Sequence, residues 1–223
     1  MHPAAGLPRV LLTGFDPFGD ALQGGPRLNP SWLAVQALQG QTIAGHQMVA
    51  AQLPTVFQAS RTELLRLLAL HQPALVICTG QAGGRSALSL ERVALNIDDA
   101  RIPDNAGRQP VDQPVVAGGP PAYFTTLPIK AMLQSLLGAG LPAEVSQTAG
   151  TFVCNHVFYA LMHALAEAPP DGRVRGGFVH VPWLPEQGLP SLPLEDIVRG
   201  LRLAVATALS TPVDIVRSAG AEC

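Results

Sequence analysis

Charge is scarce in this chain. Only 13% of its 223 residues are charged, 14 basic against 16 acidic, for a net charge of −2. Lys130 is the single lysine, so the positive charge is almost entirely guanidinium and is scattered along the chain. No basic stripe forms, which excludes the usual electrostatic footprint of a nucleic-acid binder. Cysteine is also sparse: Cys78, Cys154 and Cys223, none in C-x-x-C spacing. That odd, scattered set is not a disulfide framework, and a reducing, cytoplasmic setting is expected. No apolar run approaches the ~18 residues that a membrane span needs. Met1–Pro8 lack a basic n-region, and the apolar run from Val10 is cut short by Thr13-Gly14, so no secretory signal is expected.

What is abundant is apolar surface. At 48% hydrophobic residues the chain is too apolar for disorder and long enough to bury one substantial core. Short apolar runs alternate with helical patterns. Strands are expected at Arg9–Thr13, His46–Leu53, Ala74–Thr79, Leu88–Asn96, Glu144–Thr148 and Gly176–Val181. Helices are expected at Asn29–Gly40, Val56–His71, Pro128–Leu137, from Cys154 to about Glu167, and at Leu194–Leu209. Asn29 is placed as N-cap with Pro30 at the first helical position. The pattern predicts a single α/β domain over residues 1–223, a three-layer α/β/α sandwich with a largely parallel, mixed central sheet. The segment Ile97–Pro121 reads as a long polar loop, of the kind that is usually functional or disordered.

Ala149-Gly150-Thr151-Phe152-Val153-Cys154-Asn155-His156 carries the chemistry. It leads into a helix whose apolar stripe includes Val157, Phe158, Leu161, Met162 and Leu165. Cys154 therefore stands near a helix N-terminus, where free N–H groups and the dipole favour a thiolate, the nucleophilic form. A base is then needed, and the chain has six histidines. His156 is two residues on and points to the opposite side of the helix, and His163 lies more than two turns away. His2 is in the tail, His71 at a helix end, and His46 starts a strand with no loop chemistry nearby. His180 remains. It interrupts an apolar strand just before Pro182, at the kind of strand end where open α/β sheets gather ligands; a core histidine with a satisfied hydrogen bond is the competing reading.

The orienting acid could be Glu91, Asp98 or Asp99. Alternation puts Glu91 on the face of Val93 and Leu95, where a carboxylate needs a partner such as an imidazole. A structural ion pair with an arginine would explain it equally well. Asp98 and Asp99 read as solvated or turn-capping acids, and as a metal site they lack further ligands at suitable spacing. Gly80–Gly84 suggests a phosphate cradle but lacks G-x-G-x-x-G and a Walker lysine. Cys78 reads as a small core hydrophobe. Phe15 and Phe18 could serve either a core or a pocket.

Taken in order, the motifs resemble those of the pyroglutamyl-peptidase I family of cytosolic cysteine peptidases. They are Leu11-Leu12-Thr13-Gly14-Phe15-Asp16-Pro17-Phe18-Gly19, Asn29-Pro30-Ser31-Trp32, Gly80-Gln81-Ala82-Gly83-Gly84-Arg85, Glu91-Arg92-Val93-Ala94-Leu95-Asn96, Ala100-Arg101-Ile102-Pro103-Asp104-Asn105, the Cys154 stretch and His180-Val181-Pro182-Trp183-Leu184-Pro185-Glu186-Gln187. The resemblance spans nearly the whole chain. It implies a Cys-His-Glu triad at Cys154, His180 and Glu91, and removal of N-terminal pyroglutamate from peptides without a cofactor or metal. It also implies a ring pocket from Phe15, Phe18, Thr55, Ile102, Phe152 and Val153, with Asn29 and Gln81 as lactam partners. The Cys154 backbone N–H and Arg101 would hold the oxyanion, and a homotetramer is expected. Three features depart from the family: a longer loop at Asp20–Leu28, the run Ser86-Ala87-Leu88-Ser89-Leu90, and Trp183 where tyrosine is common. The alternatives are a catalytically inactive relative and a nucleoside- or phosphate-binding module.

Overall fold

A computed structural model describes residues 6–18, 28–169 and 174–220. The Asp20–Leu28 loop falls almost wholly outside them, as do His2 and Cys223. In chain order the elements are β1 (Arg9–Phe15), α1 (Pro30–Gln36), β2 (Thr42–Ile43), β3 (His46–Leu53), α2 (Phe57–His71), β4 (Leu75–Gln81), β5 (Leu88–Glu91) and β6 (Val93–Leu95). They continue with β7 (Ala122–Phe124), α3 (Ile129–Gly138), β8 (Ala143–Ser146), α4 (Val153–Glu167), β9 (Arg175–Val181) and α5 (Leu194–Ser210).

Seven strands form one mixed sheet in the order β2-β3-β1-β4-β9-β5-β8. Strands β3, β1, β4 and β9 run parallel, as do β5 and β8, while β2 and β5 run antiparallel to their neighbours β3 and β9. Side-chain alternation splits the core in two. Val10, Leu12, Leu75, Ile77, Leu88, Leu90, Val179 and Val181 pack with α1, α3 and α5. Leu11, Val76, Cys78 and Phe178 pack on the other face with α2 and α4. This is the expected three-layer arrangement.

Two local devices aim the first strand at the cavity. The Asn29 side chain accepts from Ser31 N–H and caps α1, with Pro30 following as the first helical residue. Ser31 Oγ in turn accepts from the Phe15 N–H at 3.0 Å. A Cβ on Gly14 would lie 2.5 Å from Trp32 N, so only glycine lets β1 and α1 approach this closely.

The expected strand Leu88–Asn96 is in fact two. At Arg92 the chain leaves the main sheet: Arg92 N–H bonds Ser146, Arg92 C=O accepts from Thr125 N–H, and β6 pairs with β7 in a separate two-stranded sheet. Glu91 therefore does not share a face with Val93 and Leu95. It lies on the face of β5 opposite Leu88 and Leu90, the face that carries Ser89, which is paired with His180 across β5 and β9.

Candidate active site

The carboxyl ends of β1, β4 and β9 lie at one edge of the sheet, and the N-terminus of α4 meets them there. Together they enclose a cavity of about 260 Å³. Phe15, Phe18, Asn29, Thr55, Gln81, Phe152, Val153, Cys154 and His180 line it, all drawn from the set expected above. Arg85, Ala82, Gly83, Ala149 and Gly150 complete the wall. Ile102 and Arg101 are exposed and stand outside that lining, Ile102 being 48% accessible.

His180 Nδ1 lies 2.7 Å from Glu91 Oε1, and both side chains are buried. A carboxylate only accepts, so Nδ1 carries the hydrogen, which in the neutral ring leaves the lone pair on Nε2. Glu91 does not serve His180 alone. Arg85 Nη1 donates to the same Oε1 at 2.7 Å, and Arg85 Nη2 reaches Thr148 O at 3.3 Å. The imidazole and the arginine, read from the sequence as competing partners for this acid, are both present. Glu91 Oε2 is buried without a partner among the described residues.

Cys154 is the second residue of α4. Phe152 caps that helix with no side-chain hydrogen bond, so the first-turn N–H groups stay open. Sγ packs against β4 so closely that a Cβ on Gly80 would lie 2.6 Å from it. Among the described residues no hydrogen bond joins Sγ to His180, although both face the cavity. The open helix end does not make this thiol acidic. Desolvation, and then the nearby Glu91 carboxylate, push it up from 9.0 to about 12, with the Arg85 guanidinium pulling the other way. At neutral pH Cys154 therefore carries a thiol and not a thiolate.

The aromatic wall is layered. Phe152 lies 6.1 Å from Phe18 between ring centroids, and Phe57 backs it edge-on at 5.4 Å. Phe57 went unnoticed in the sequence because it opens a leucine-rich helix. The polar atoms behind the wall are mostly committed. Asn29 Oδ1 accepts from Ser31 N and Oγ, and its Nδ2 donates to Asp16 O at 3.0 Å. Thr55 Oγ1 donates to Asp16 O at 3.1 Å.

Asp98 is not the solvated acid expected. It is buried, and its Oδ2 meets His156 Nδ1 at 2.8 Å. Asp99 is exposed, as a loop acid should be. Cys78 is fully buried in β4, and burial pushes its thiol up to about 12.

With this geometry in place, comparison with known proteins gives a consistent answer. The family described as pyroglutamyl peptidase matches residues 8–211. The chain is 59% identical over 219 residues to the pyrrolidone-carboxylate peptidase of Cupriavidus taiwanensis, an alignment covering 96% of this chain and 99% of that one. It superposes on pyroglutamyl peptidase I of Bacillus amyloliquefaciens with a TM-score of 0.88 at 48% identity, covering 93% of this chain and 100% of that one. Pyrrolidone carboxyl peptidase from Thermococcus litoralis also reaches a TM-score of 0.88, at 33% identity over 95% of this chain and 99% of that one. In sequence and in fold, this chain belongs to the pyroglutamyl peptidase family.

Proposed function

We propose that this chain, a cysteine hydrolase of that family, removes N-terminal pyroglutamate from peptides with Cys154, His180 and Glu91 as its working residues. The observation that carries the reading is a thiol and a Glu91-oriented imidazole facing one small, largely apolar cavity. A pyroglutamyl ring has a neutral lactam in place of a charged amine. It suits a slot walled by Phe15, Phe18, Phe152 and Val153, with Thr55, Asn29 and Gln81 at its polar edge.

The steps follow from the protonation states. The Cys154 thiol is neutral, so His180 Nε2 takes its proton as sulfur attacks the pyroglutamyl carbonyl carbon. The carbonyl oxygen becomes an oxyanion beside the free N–H of Cys154 at the start of α4. Arg101, exposed on the loop next to the cavity, can add a second donor only by swinging in over a bound peptide. The imidazolium returns its proton to the departing amine as the C–N bond breaks, leaving a thioester. Water, deprotonated by His180, then releases pyroglutamate and restores the thiol. Glu91 holds the ring in the useful tautomer and balances the imidazolium charge. No cofactor or metal has a part in these steps.

The setting is also proposed. No helix among the described residues is long and apolar enough to cross a membrane. Few, scattered cysteines fit a cytoplasmic protein, and the family resemblance favours a homotetramer, which light scattering can test. Hydrolysis of a pyroglutamyl-coumarin amide tests the activity. Wild type is expected to release the fluorophore and Cys154→Ala to release none. No turnover by wild type, or equal turnover by both, ends the peptidase reading.

A further inference from the structure

Four residues beyond the end of β9 the chain starts a short helical turn, Pro185–Gln187. The side chain of its last residue is fully engaged. Leu184 N–H donates to Gln187 Oε1 at 2.9 Å. Gln187 Nε2 donates to Leu28 O at 3.2 Å and to Gln81 Oε1 at 3.1 Å. None of these bonds can be reversed. A backbone N–H only donates, so the Gln187 atom facing Leu184 is oxygen. The other end is then the NH₂, which agrees with the Leu28 carbonyl it meets. The Gln81 atom that accepts from this NH₂ is therefore the oxygen. By elimination Gln81 turns its own NH₂ away from Gln187, and that NH₂ makes no hydrogen bond among the described residues.

Gln81 lines the cavity. Of the two side-chain amides in the wall, it alone keeps its whole NH₂ uncommitted, since Asn29 has bonded both its oxygen and its nitrogen. The cavity thus presents a fixed donor and little side-chain acceptor capacity. A ring bearing a carbonyl gains a hydrogen bond there. A pyrrolidinium, the charged ring of an N-terminal proline, has no carbonyl to accept from the Gln81 NH₂ and loses that hydrogen bond.

We propose that Gln187 is a specificity-determining positioning residue: it locks the Gln81 amide so that its NH₂ receives the ring carbonyl of a five-membered lactam. The inference rests on the peptidase reading for its substrate, while the orientation of Gln81 stands on the hydrogen-bond network alone.

Two substitutions and one direct measurement test it. In Gln187→Glu the carboxylate can only accept, so it draws the Gln81 NH₂ to itself and turns the Gln81 oxygen into the cavity. KM for a pyroglutamyl-coumarin amide is expected to rise about 10-fold or more with kcat much less affected. Calorimetric affinity for 2-pyrrolidinone should fall in parallel. Gln187→Met removes the lock without reversing it and should give a smaller rise, about 3-fold. In the unsubstituted protein the side-chain amide resonances of Gln81 should shift when 2-pyrrolidinone is titrated in, a measurement that holds even where a variant fails to fold. Unmoved Gln81 resonances, or unchanged KM and lactam affinity in folded variants, overturn the proposal. Wild type that binds 2-pyrrolidinone through Gln81 yet turns over no pyroglutamyl amide sinks the peptidase reading and leaves the orientation intact.

Discussion

Arg85 Nη1 lies 2.7 Å from Glu91 Oε1, the same oxygen that holds His180. A fully buried carboxylate is costly unless its charge is balanced, and a neutral imidazole does not balance it. Arg85 supplies that balance, and its second bond to Thr148 O ties the acid to the loop that delivers Cys154. Arg85→Met is expected to cost about 1–3 kcal/mol in urea denaturation, below the roughly 3–5 of a wholly buried pair because Arg85 is 28% accessible and screened. Activity should fall further than stability does. Arg85→Lys should recover part of the loss, since one ammonium restores the charge but not the two-armed reach. If Arg85→Met keeps full kcat/KM, Arg85 has no part in supporting the triad.

Gly80 leaves no room for a side chain beside Cys154 Sγ. An alanine Cβ there would meet Cys154 Sγ at 2.6 Å and Phe178 Cζ at 2.9 Å. Something has to move, and the sulfur is the nearest atom. Since a misplacement of ~1 Å can cost about 100-fold in rate, Gly80→Ala is expected to lower kcat by about that factor. Single-turnover acylation would read it directly. Acylation at the wild-type rate would show that Sγ position is not critical.

Cys78 gives a pH dependence with a definite sign. Burial raises its thiol from 9.0 to about 12 in the folded state. The folded chain therefore holds this proton where the unfolded chain has lost it. Stability from Cys78 is complete below about pH 9 and declines as pH rises from there toward 12. Urea midpoints of wild type and Cys78→Ala, measured from pH 7 to pH 10.5, should converge as pH rises. The alanine variant starts lower because it leaves a small cavity, but its midpoint falls less steeply. Parallel curves would mean that Cys78 ionises normally in the fold.

Much of this site could be read locally. The apolar run of Ala74–Thr79, the Asn29-Pro30 helix start and the apolar stripe after Cys154 are patterns of adjacent residues, and a strand or helix stands at each. The missed features depend on distant partners. The break at Arg92 exists because Ser146 and Thr125 capture its backbone, and three-residue β7 is too short to announce itself. The Cys154 thiol is held above its ordinary value, against the direction that the helix start suggests, by desolvation and by the charge of Glu91, 63 positions away. The partners of Gln187 are likewise set by packing, with Leu28 and Gln81 separated from it by 159 and 106 positions.

His156 and Asp98 make a second buried histidine–carboxylate pair, on the same helix as the nucleophile but away from its cavity. Their side chains are 4% and 8% accessible, and Asp98 Oδ1 and His156 Nε2 find no partner among the described residues. The contact pins the Ile97–Pro121 loop to α4 alongside bonds from Asn155 to Leu95 and Ile97 and from Thr151 to Asp99. Removing one member strands the other, so His156→Leu is expected to cost about 3–5 kcal/mol in urea denaturation. Removing both should cost less than removing His156 alone, because no buried carboxylate is left unpaired. His156→Leu with Asp98→Leu is therefore expected to be more stable than His156→Leu. The Asn155 and Thr151 bonds remain in every variant and keep the start of α4 in place, so kcat/KM should fall only a few-fold in those that still fold. A double variant no more stable than His156→Leu would mean that Asp98 acts through its backbone pairing with Gln113, and not through the ring.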